Sequence, residues 1–352
     1  MEYRNIKTVH WEPSQACNAH CPMCDRNQNG GEVNHHLTNA HWKLSEFKES
    51  FNPEFFKTLK LFYSCGNHGD PHMCEELIDI YKWIKDSNPN LRILTTTNGG
   101  ARKPEWWAEL ADYSEVNFSV DGLHETNHLY RQGVKWENLE ENIVAFNEAG
   151  GDSKWTFLVF RHNEHQVDTA RNWSKVLGCN EFIVKKSGRY INTASLKEKE
   201  GHQSQFKGGF TQYLEQPENP KYQNKELPKF KELETKYGTF KEYLKVCTID
   251  CKAEKKKEIY ISAEGHVTPC CWLHGQPYKW WRPTKSGDVH EMIGNYDLIN
   301  LKKVRNIKDI IEGGFFQRVK DSWKKIYFDD GRLETCALKC GAKYDPFSAQ
   351  WQ

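Results

Sequence analysis

The sequence predicts an α/β protein built on a curved parallel sheet, and three observations lead to this fold class. Short runs rich in β-branched and aromatic residues alternate with helical patterns across residues 8–186. This alternation implies parallel strands joined by helical crossovers. Polar, glycine-containing segments follow several strands, as they do in barrels whose functional residues lie at the carboxyl ends of strands. We therefore expect a partial (β/α)6 TIM-like barrel rather than a flat sheet.

Six segments fit the strand pattern, because each is short and rich in β-branched or aromatic residues. They are Thr8–Glu12, Leu59–Ser64, Leu91–Thr96, Glu115–Val120, Trp155–Phe160 and Glu181–Lys185. Between the strands, Pro104 stands at the first position of a helix, where proline is favoured. Apolar residues recur at helical spacing from Trp136 to Phe146, and residues 167–177 form a further helical pattern.

Composition and charge exclude several classes of protein. Of the 352 residues, 38% are hydrophobic and 28% are charged, which is typical of a soluble globular protein. The net charge of +1 gives no argument for binding nucleic acid or membrane. No apolar run approaches the roughly 18 residues of a membrane span, and the first residues lack the apolar core of a secretion signal. We expect a cytoplasmic protein.

The twelve cysteines are grouped at the two ends of the chain. Without a secretion signal, they fit a reducing compartment, where grouped cysteines bind metal more often than they form disulfides. Three lie within residues 17–24 and six within residues 247–340, whereas Cys65, Cys74 and Cys179 are isolated. This grouping predicts two metal sites.

Cys17, Cys21 and Cys24 follow the first predicted strand with the spacing C-x3-C-x2-C. Three thiolates on one loop can hold three corners of a cubic iron–sulfur cluster and leave the fourth iron open to a substrate or cosubstrate. The alternative is a zinc site, with His10 or His20 as the fourth ligand that zinc usually requires. The spacing favours the iron–sulfur cluster.

Together with the segments that follow it, the triplet resembles the signature of radical S-adenosylmethionine (radical SAM) enzymes. The family usually has an aromatic residue directly before the third cysteine, where this chain has Met23. The resemblance implies a 4Fe–4S cluster on the triplet, SAM on its open iron, and an apolar contact between Met23 and the adenosine.

Three further segments resemble motifs of this family in the expected order. Residues 66–71, Gly-Asn-His-Gly-Asp-Pro, resemble the Gly-Gly-Glu-Pro stretch that contacts the amino group of SAM, and residues 97–99 read Thr-Asn-Gly. Residues 119–122 followed by Arg131 resemble Ser-x-Asp-Gly…Arg, in which the guanidinium suits the methionine carboxylate. The implied SAM contacts are Met23, Gly69, Asp70, Pro71, Asn98, Ser119, Asp121, Arg131 and Asn163.

The C-terminal cysteines resemble the SPASM and twitch domains, which hold auxiliary 4Fe–4S clusters. A hairpin over Glu258–Ser262 and His266–Thr268 would bring Cys251 and Cys270 together, and a distant turn would add two more thiolates. The resemblance implies one auxiliary cluster, held by Cys251, Cys270, Cys336 and Cys340. Cys247 or Cys271 could replace one of these ligands, and a structural zinc ion on the same four cysteines is the alternative.

The resemblance covers about residues 8–186 and 246–341. It implies a radical SAM barrel at 1–186 and a small α+β auxiliary-cluster domain at 246–352. The polar composition of 187–245 predicts an insertion or linker with a helix over Pro228–Leu244. The resemblance also implies an enzyme that cleaves SAM to a 5′-deoxyadenosyl radical, which takes hydrogen from a peptide or protein side chain. Flavodoxin or ferredoxin would supply the electron. Lys185 and Lys186, at the end of the sixth strand, are candidates to face the substrate.

Two alternatives for the function remain. One is a radical SAM enzyme that acts on a small molecule, such as an amino sugar, a nucleotide or a nucleobase. The other is a non-catalytic zinc or iron–sulfur module. The basic aromatic tract at 278–282 has residues that stack on bases in nucleic-acid-binding proteins. It equally fits a hydrophobic lid, which is the interpretation that we prefer.

Overall fold

The computed structural model describes residues 1–192, 195–205 and 211–351. The strands are β1 (Thr8–Trp11), β2 (Leu61–Cys65), β3 (Arg92–Thr97), β4 (Glu115–Ser119), β5 (Ser153–Val159), β6 (Glu181–Lys186), β7 (Ile191–Asn192), β8 (Lys197–Glu198), β9 (Gly201–Gln205), β10 (Thr211–Glu215), β11 (Glu258–Ile261) and β12 (Val267–Thr268).

The helices lie mainly between the strands and in the last third of the chain. They are α1 (Leu44–Ser50), α2 (Pro53–Lys57), α3 (Leu77–Ser87), α4 (Pro104–Leu110), α5 (Asn127–Tyr130), α6 (Trp136–Glu148), α7 (Val167–Val176), α8 (Lys229–Tyr237), α9 (Phe240–Val246), α10 (Lys252–Lys256), α11 (Cys271–Gly275), α12 (Asp288–Ile293), α13 (Leu301–Val304), α14 (Ile307–Glu312), α15 (Phe315–Ser322) and α16 (Glu334–Cys340). Short 3-10 helices lie at Tyr3–Asn5, Pro71–Met73, Glu164–Gln166, Pro220–Tyr222, Tyr296–Ile299 and Ala349–Trp351. Among the described helices, none has the length and apolar character needed to cross a membrane.

The central sheet confirms the predicted partial barrel. Its eight strands follow the order β12-β11-β1-β2-β3-β4-β5-β6, and β1 to β6 pair in parallel in the order of the chain. All six predicted strands are present, and their bounds differ from the prediction by only a few residues. Because the strands are parallel, their carboxyl ends lie along one edge, where the predicted site residues follow them.

The C-terminal hairpin is present, but it belongs to the barrel sheet. β11 and β12 pair in antiparallel fashion, and β11 also pairs in parallel with β1, from Thr8 opposite Glu258 to Trp11 opposite Ile261. An uncovered β1 would expose a row of unpaired backbone groups, and the hairpin covers that edge. The C-terminal part of the chain therefore begins as an extension of the barrel.

The segment 187–245 is more structured than the sequence indicates. The described residues form two antiparallel strand pairs, β7 with β8 and β9 with β10. The single helix predicted over Pro228–Leu244 is wrong, because α8 ends at Gly238, where φ is +85°, and α9 starts with Thr239 as its cap. The Thr239 hydroxyl accepts a hydrogen bond from the Glu242 N–H (3.1 Å), which stabilises the start of the second helix.

An aromatic core supports the loop that follows β1. The Phe47 ring on α1 is fully buried, and its centroid lies 5.2 Å from Trp11 and 4.5 Å from Phe51. Trp42 and Phe62 complete the group. Aromatic side chains bury large areas and pack in defined edge and stacked geometries, so this group fixes the end of β1.

The inner face of the sheet is only partly covered. Along β2, Phe62 and Ser64 are fully buried against the helices, whereas Tyr63 and Cys65 on the other face are partly exposed. Thr96 and Asn117 continue this face on β3 and β4. Side chains alternate across a strand. The half-open barrel therefore presents one lining of partly polar side chains to solvent.

Replacing Phe47 with alanine should destabilise the protein by about 3–5 kcal/mol, because it leaves a cavity among close-packed rings. Tyr327→Ala is the control, since Tyr327 is 55% exposed. The free energy of unfolding is measured by chemical denaturation. Equal losses in the two variants would contradict this account of the core.

Candidate active site

The loop after β1 presents three thiols together. The Cys24 N–H donates to the Cys21 carbonyl (3.0 Å), which closes a tight turn between the two cysteines. Backbone N–H groups point at two of the sulfurs, from Ala19 to Cys17 Sγ (3.3 Å) and from Arg26 to Cys24 Sγ (3.5 Å). Such hydrogen bonds to sulfur tune iron–sulfur clusters.

Burial sets the protonation of these thiols when no metal is bound. It raises the pKa of Cys21 to about 11, and it also raises the pKa of Cys24. The pKa of the Cys17 thiol is raised as well. Burial is the largest cause, followed by the negative charges of Asp70 and of the Cys21 thiolate. The thiols therefore release protons when they bind a metal, and the metal charge must compensate for the cost of burying thiolates.

Residues after β3 and β4 reach the same sulfurs. Asn98 Nδ2 lies 3.6 Å from Cys17 Sγ, and Arg131 Nη1 lies 3.6 Å from Cys21 Sγ. Ser119 ends β4 on the partly exposed inner face. The structure thus brings the Asn98 and Arg131 motifs into contact with the cysteine triplet, although they are about eighty and about one hundred and ten residues distant in sequence.

Asp70 joins the segment after β2 to the segment after β3. Its Oδ1 accepts from Thr97 Oγ1 (2.6 Å), and its Oδ2 accepts from the N–H (2.8 Å) and Nδ2 (2.9 Å) of Asn98. Burial alone would raise the pKa of Asp70, but the neighbouring His72 and these donors hold it below its usual value. Both carboxylate oxygens are therefore charged acceptors that position Asn98.

The glycines of the same segment permit backbone contacts that a side chain would block. A Cβ on Gly69 would lie 1.9 Å from the Ser14 carbonyl oxygen, and one on Gly66 would lie 1.7 Å from the Gly69 carbonyl oxygen. Pro71 begins a 3-10 helix that Asp70 caps. Only glycine fits such close approaches, so the segment is held against the start of the cysteine loop.

Asp121 orients Arg131 beside the triplet. Its Oδ2 accepts from Arg131 Nε (2.6 Å), and its Oδ1 accepts from the Leu158 N–H (2.7 Å). Asp121 is 1% exposed, so the ion pair between Arg131 and Asp121 is buried and is not an ordinary surface salt bridge. Asn163 Nδ2 donates to the carbonyls of Asp121 (2.8 Å) and Leu158 (3.0 Å), which places its amide in the support of this loop.

The insertion supplies contacts that sequence reasoning missed. Arg189 Nη1 donates to the Met23 carbonyl (2.7 Å), and His202 Nε2 lies 2.9 Å from the Pro22 carbonyl. Gln205 donates its N–H to the Asn29 carbonyl (2.7 Å). These residues hold the backbone of the cysteine loop, and the polar composition of the insertion carried no signal for them.

Glu12 is the other residue that the sequence analysis left without a role. Its Oε1 accepts from the N–H groups of His68 (2.6 Å) and Gly69 (3.2 Å), and its Oε2 accepts from the Tyr260 hydroxyl (2.7 Å). It is fully buried. A carboxylate at the end of a predicted strand is a signal that could have identified it.

The four cysteines predicted for an auxiliary site line one small, apolar cavity. Its lining includes Cys251, Cys270, Cys336 and Cys340, together with Trp272, Leu273, Val319 and Trp323. Cys247 and Cys271 do not belong to this lining. Cys247 Sγ contacts Arg332 Nη2 (3.7 Å) instead, and the pKa of Cys271, raised first by burial, is raised further by Glu258 and Cys65. Four of the six C-terminal thiols therefore line this cavity, and those of Cys247 and Cys271 do not.

Two of the four auxiliary thiols contact each other directly. A hydrogen bond between Cys251 and Cys340 is the largest cause of the lowered pKa of Cys251, which is about 7. Among the described residues, neither set of cysteines forms a group of three ligand atoms within 4.8 Å of one another.

The two histidines considered as a fourth zinc ligand have hydrogen-bond partners of their own. His10 Nε2 lies 2.9 Å from the Cys65 carbonyl oxygen, and His20 Nδ1 lies 3.1 Å from the Gly31 carbonyl oxygen.

The basic aromatic tract packs over the cysteine loop. The carbonyl of Tyr278 accepts from Asn34 Nδ2 (2.7 Å), and Lys279 Nζ pairs with Asp25 (2.7 Å). Tyr278 is fully buried, whereas Trp281 is 43% exposed. These contacts fit a cover over residues 25–36 better than a surface for stacking bases.

Lys185 is the lysine of the sixth strand that faces the barrel interior. Its Nζ lies 4.4 Å from the centre of the Trp351 ring. Burial, and next the charge of Arg189, lower its pKa to about 8, although Asp121 opposes this. Lys186 points to the opposite face, because neighbouring side chains alternate along a strand.

Comparison with known proteins places this site in a family. Residues 11–173 match the family model described as the radical SAM superfamily. The match spans the cysteine triplet and every strand-end motif through Asn163. The chain carries a radical SAM domain. Members of this superfamily use SAM and a 4Fe–4S cluster in radical reactions. No curated protein has a matching sequence.

Several solved structures share the fold. SuiB of Streptococcus suis bound to S-adenosylmethionine is 16% identical with a TM-score of 0.53, over 94% of this chain and 77% of that one. SuiB bound to precursor peptide SuiA is 15% identical with a TM-score of 0.53, over 99% and 76%. Native anSMEcpe with AdoMet and Cp18Cys peptide is 14% identical with a TM-score of 0.54, over 95% and 88%.

In a further SuiB structure, the match spans 65% of that chain. At these identities, the likeness shows the fold alone. It extends beyond the barrel into the C-terminal part of the chain.

The lowered pKa of Lys185 should appear as pH-dependent stability. An unfolded lysine keeps its proton to about pH 10.4, whereas folded Lys185 loses it near pH 8. Between these values unfolding takes up a proton, so raising the pH favours the folded state. The stability of the wild type relative to Lys185→Met should therefore increase between about pH 7.5 and about pH 9.5.

Urea denaturation at the two pH values measures this difference. Lys175→Met, at an exposed position on α7, is the control for loss of a lysine. A difference between wild type and Lys185→Met that stays constant or decreases with pH would contradict the burial of a lowered-pKa lysine.

Proposed function

We propose that this chain binds SAM at a 4Fe–4S cluster on Cys17, Cys21 and Cys24 and modifies a peptide or protein side chain oxidatively. When bound, the cluster and SAM supply a 5′-deoxyadenosyl radical that removes hydrogen from an unactivated carbon. The observation that carries the proposal is the contact of Asn98 and Arg131 with the sulfurs of the triplet.

The geometry around the triplet supports several of the proposed SAM contacts. With Nε held by Asp121, the remaining guanidinium nitrogens of Arg131 are available to a carboxylate beside Cys21. Because the Asp70 carboxylate is engaged by Thr97 and Asn98, the segment Gly69–Pro71 would meet the SAM amino group through its backbone carbonyls. Met23 and Ser119 would lie on the adenosine side.

We propose a second 4Fe–4S cluster on Cys251, Cys270, Cys336 and Cys340. Four thiols line an apolar, enclosed cavity, and its described lining contains no histidine, aspartate or glutamate. Four thiolates are the donor set that such clusters prefer. When bound, this cluster supplies an acceptor for the electron that oxidative modification releases. The lysine and tryptophan side chains around the cavity limit access of water.

A peptide substrate is supported by the inner face of the barrel. Tyr63, Thr96, Asn117 and Thr156 form a polar lining; Asn117 Nδ2 lies 3.5 Å from Thr96 Oγ1, and Asn117 Oδ1 accepts from Thr156 Oγ1 (2.5 Å). Such hydroxyls and amides can bond the backbone of an extended peptide. Two proteins of the same fold have peptides bound, SuiB with SuiA and anSMEcpe with Cp18Cys.

We further propose that flavodoxin or ferredoxin donates the electron and that the protein is cytoplasmic. All twelve cysteines are free, which fits a reducing compartment.

Cysteine variants test both clusters. Anaerobically reconstituted wild type should be brown, hold about eight irons per chain and form 5′-deoxyadenosine with dithionite. Cys17→Ala should abolish that product, because the open iron is lost. Cys336→Ala should lower the iron content to about four while SAM cleavage continues.

Cys247→Ala is the matched control, because Cys247 is equally buried but lies outside the cavity. Its iron content should equal that of the wild type. A colourless protein that holds zinc, or loss of iron in Cys247→Ala together with its retention in Cys336→Ala, would refute the assignment.

The substrate class is tested by co-expression with a short peptide encoded beside the gene. Mass spectrometry should show loss of two hydrogens from the peptide with the wild type and no change with Cys17→Ala. An unmodified peptide, with 5′-deoxyadenosine formation stimulated only by the small-molecule fraction of a cell extract, would contradict the peptide substrate and favour a small molecule such as an amino sugar or a nucleotide.

A further inference from the structure

A buried group of metal-binding side chains lies outside both cysteine sites. A carboxylate oxygen of Glu12 and one ring nitrogen from each of His68 and His274 all lie within 4.8 Å of one another. Glu12 is 0% exposed, and the two histidines are each 1% exposed. Three ligand atoms of this kind are the set that divalent transition metals bind, and solvent is excluded around them.

The histidines of this group lack protein partners. Within the described part of the chain, three buried ring nitrogens have no hydrogen-bond partner. They are Nδ1 and Nε2 of His68 and Nε2 of His274. Buried polar atoms are normally bonded, and an unpaired one indicates a missing ligand, water or ion. One ring nitrogen of each histidine lies within 4.8 Å of the other and of a Glu12 carboxylate oxygen, so a single ion can contact all three atoms.

Glu12 has hydrogen-bond donors but no cationic side chain as a partner. Its carboxylate accepts three hydrogen bonds from uncharged donors, and among the described residues no lysine or arginine forms an ion pair with it. A neighbouring group, Glu264, His266 and His274, differs because Lys285 Nζ lies 3.7 Å from the Glu264 carboxylate. A bound cation would therefore add to Glu12 a charge partner that Glu264 already has.

We propose that Glu12, His68 and His274 bind one divalent transition-metal ion, of which zinc is the member used for the test. Two imidazoles and one carboxylate form a known zinc donor set. The Tyr260 hydroxyl donates to Glu12 Oε2 (2.7 Å) and orients the carboxylate, as side chains that hydrogen-bond to metal ligands commonly do. A fourth position remains for water.

The proposed metal would tie three parts of the chain together. Glu12 follows β1, His68 lies in the segment before Asp70, and His274 lies on α11, which begins directly after Cys270. If the proposed function holds, the ion would fix the SAM-binding segment relative to the auxiliary-cluster domain. The site itself is defined by its ligands, and its test is independent of SAM chemistry.

Zinc content and coordination test the site. Anaerobically reconstituted protein is equilibrated with zinc, freed of loosely bound metal with a weak chelator, and analysed for zinc and iron. The wild type should retain about one zinc per chain with a shell of nitrogen and oxygen at about 2.0–2.1 Å in zinc-edge X-ray absorption. His68→Gln and His274→Gln should each lower zinc affinity by about tenfold or more.

His162→Gln is the control, because His162 Nε2 is also buried and unbonded but does not belong to either group. It should retain zinc. Glu12→Gln keeps the shape of the side chain and provides a second variant if a histidine variant fails to fold; it should also lose zinc.

Three results would overturn the proposal. They are a wild type without zinc, a zinc shell containing sulfur at about 2.3 Å, which would place the ion on cysteines, and full retention of zinc in both histidine variants. Iron content and 5′-deoxyadenosine formation are recorded on the same samples. A histidine variant that loses zinc but keeps normal iron shows that the zinc site is independent of the clusters. A wild type that holds zinc but does not cleave SAM contradicts the proposed function and leaves the zinc site intact.

Discussion

Buried carboxylates connect the loops along the carboxyl edge of the sheet, and the candidate site depends on them. Glu12, after β1, accepts from the backbone of His68 after β2; Asp70, after β2, accepts from the backbone of Asn98 after β3. Asp121, after β4, accepts from the backbone of Leu158 in β5. Each bond is charge-assisted and shielded from water, which makes it strong. The loops are therefore placed relative to one another before any ligand binds.

The strands were predictable because their signal is local. Apolar and β-branched runs determine β1 to β6, and the structure moved the predicted Leu59–Ser64 only to Leu61–Cys65. The pairing of β11 with β1 was not predictable, since it joins residues about 250 positions apart and leaves no local pattern. β9, with the sequence Gly-His-Gln-Ser-Gln, was missed because it contains no β-branched or aromatic residue.

The same distinction applies to the site. Spacing predicted the cysteine triplet, but it left Cys247 and Cys271 as alternative ligands of the auxiliary site, and only the folded chain shows that neither lines the described cavity. Arg189 and His202 were not predicted, because they act on backbone carbonyls of a loop that is distant in sequence. The position of Asn163 after β5 predicts a contact with SAM, and the structure adds a role that the sequence did not show, since its amide donates to the carbonyl of Asp121.

The pairing of β1 with β11 has a consequence for how the chain folds. The first strand cannot complete its hydrogen bonds until residues 258–261 have been synthesised, so the barrel keeps an open edge through most of translation. Closing contacts of such sequence separation is slow, and an open strand edge can pair with other chains. A chain truncated before residue 258 would therefore expose the strand that leads into its cysteine loop, and aggregation would compete with maturation.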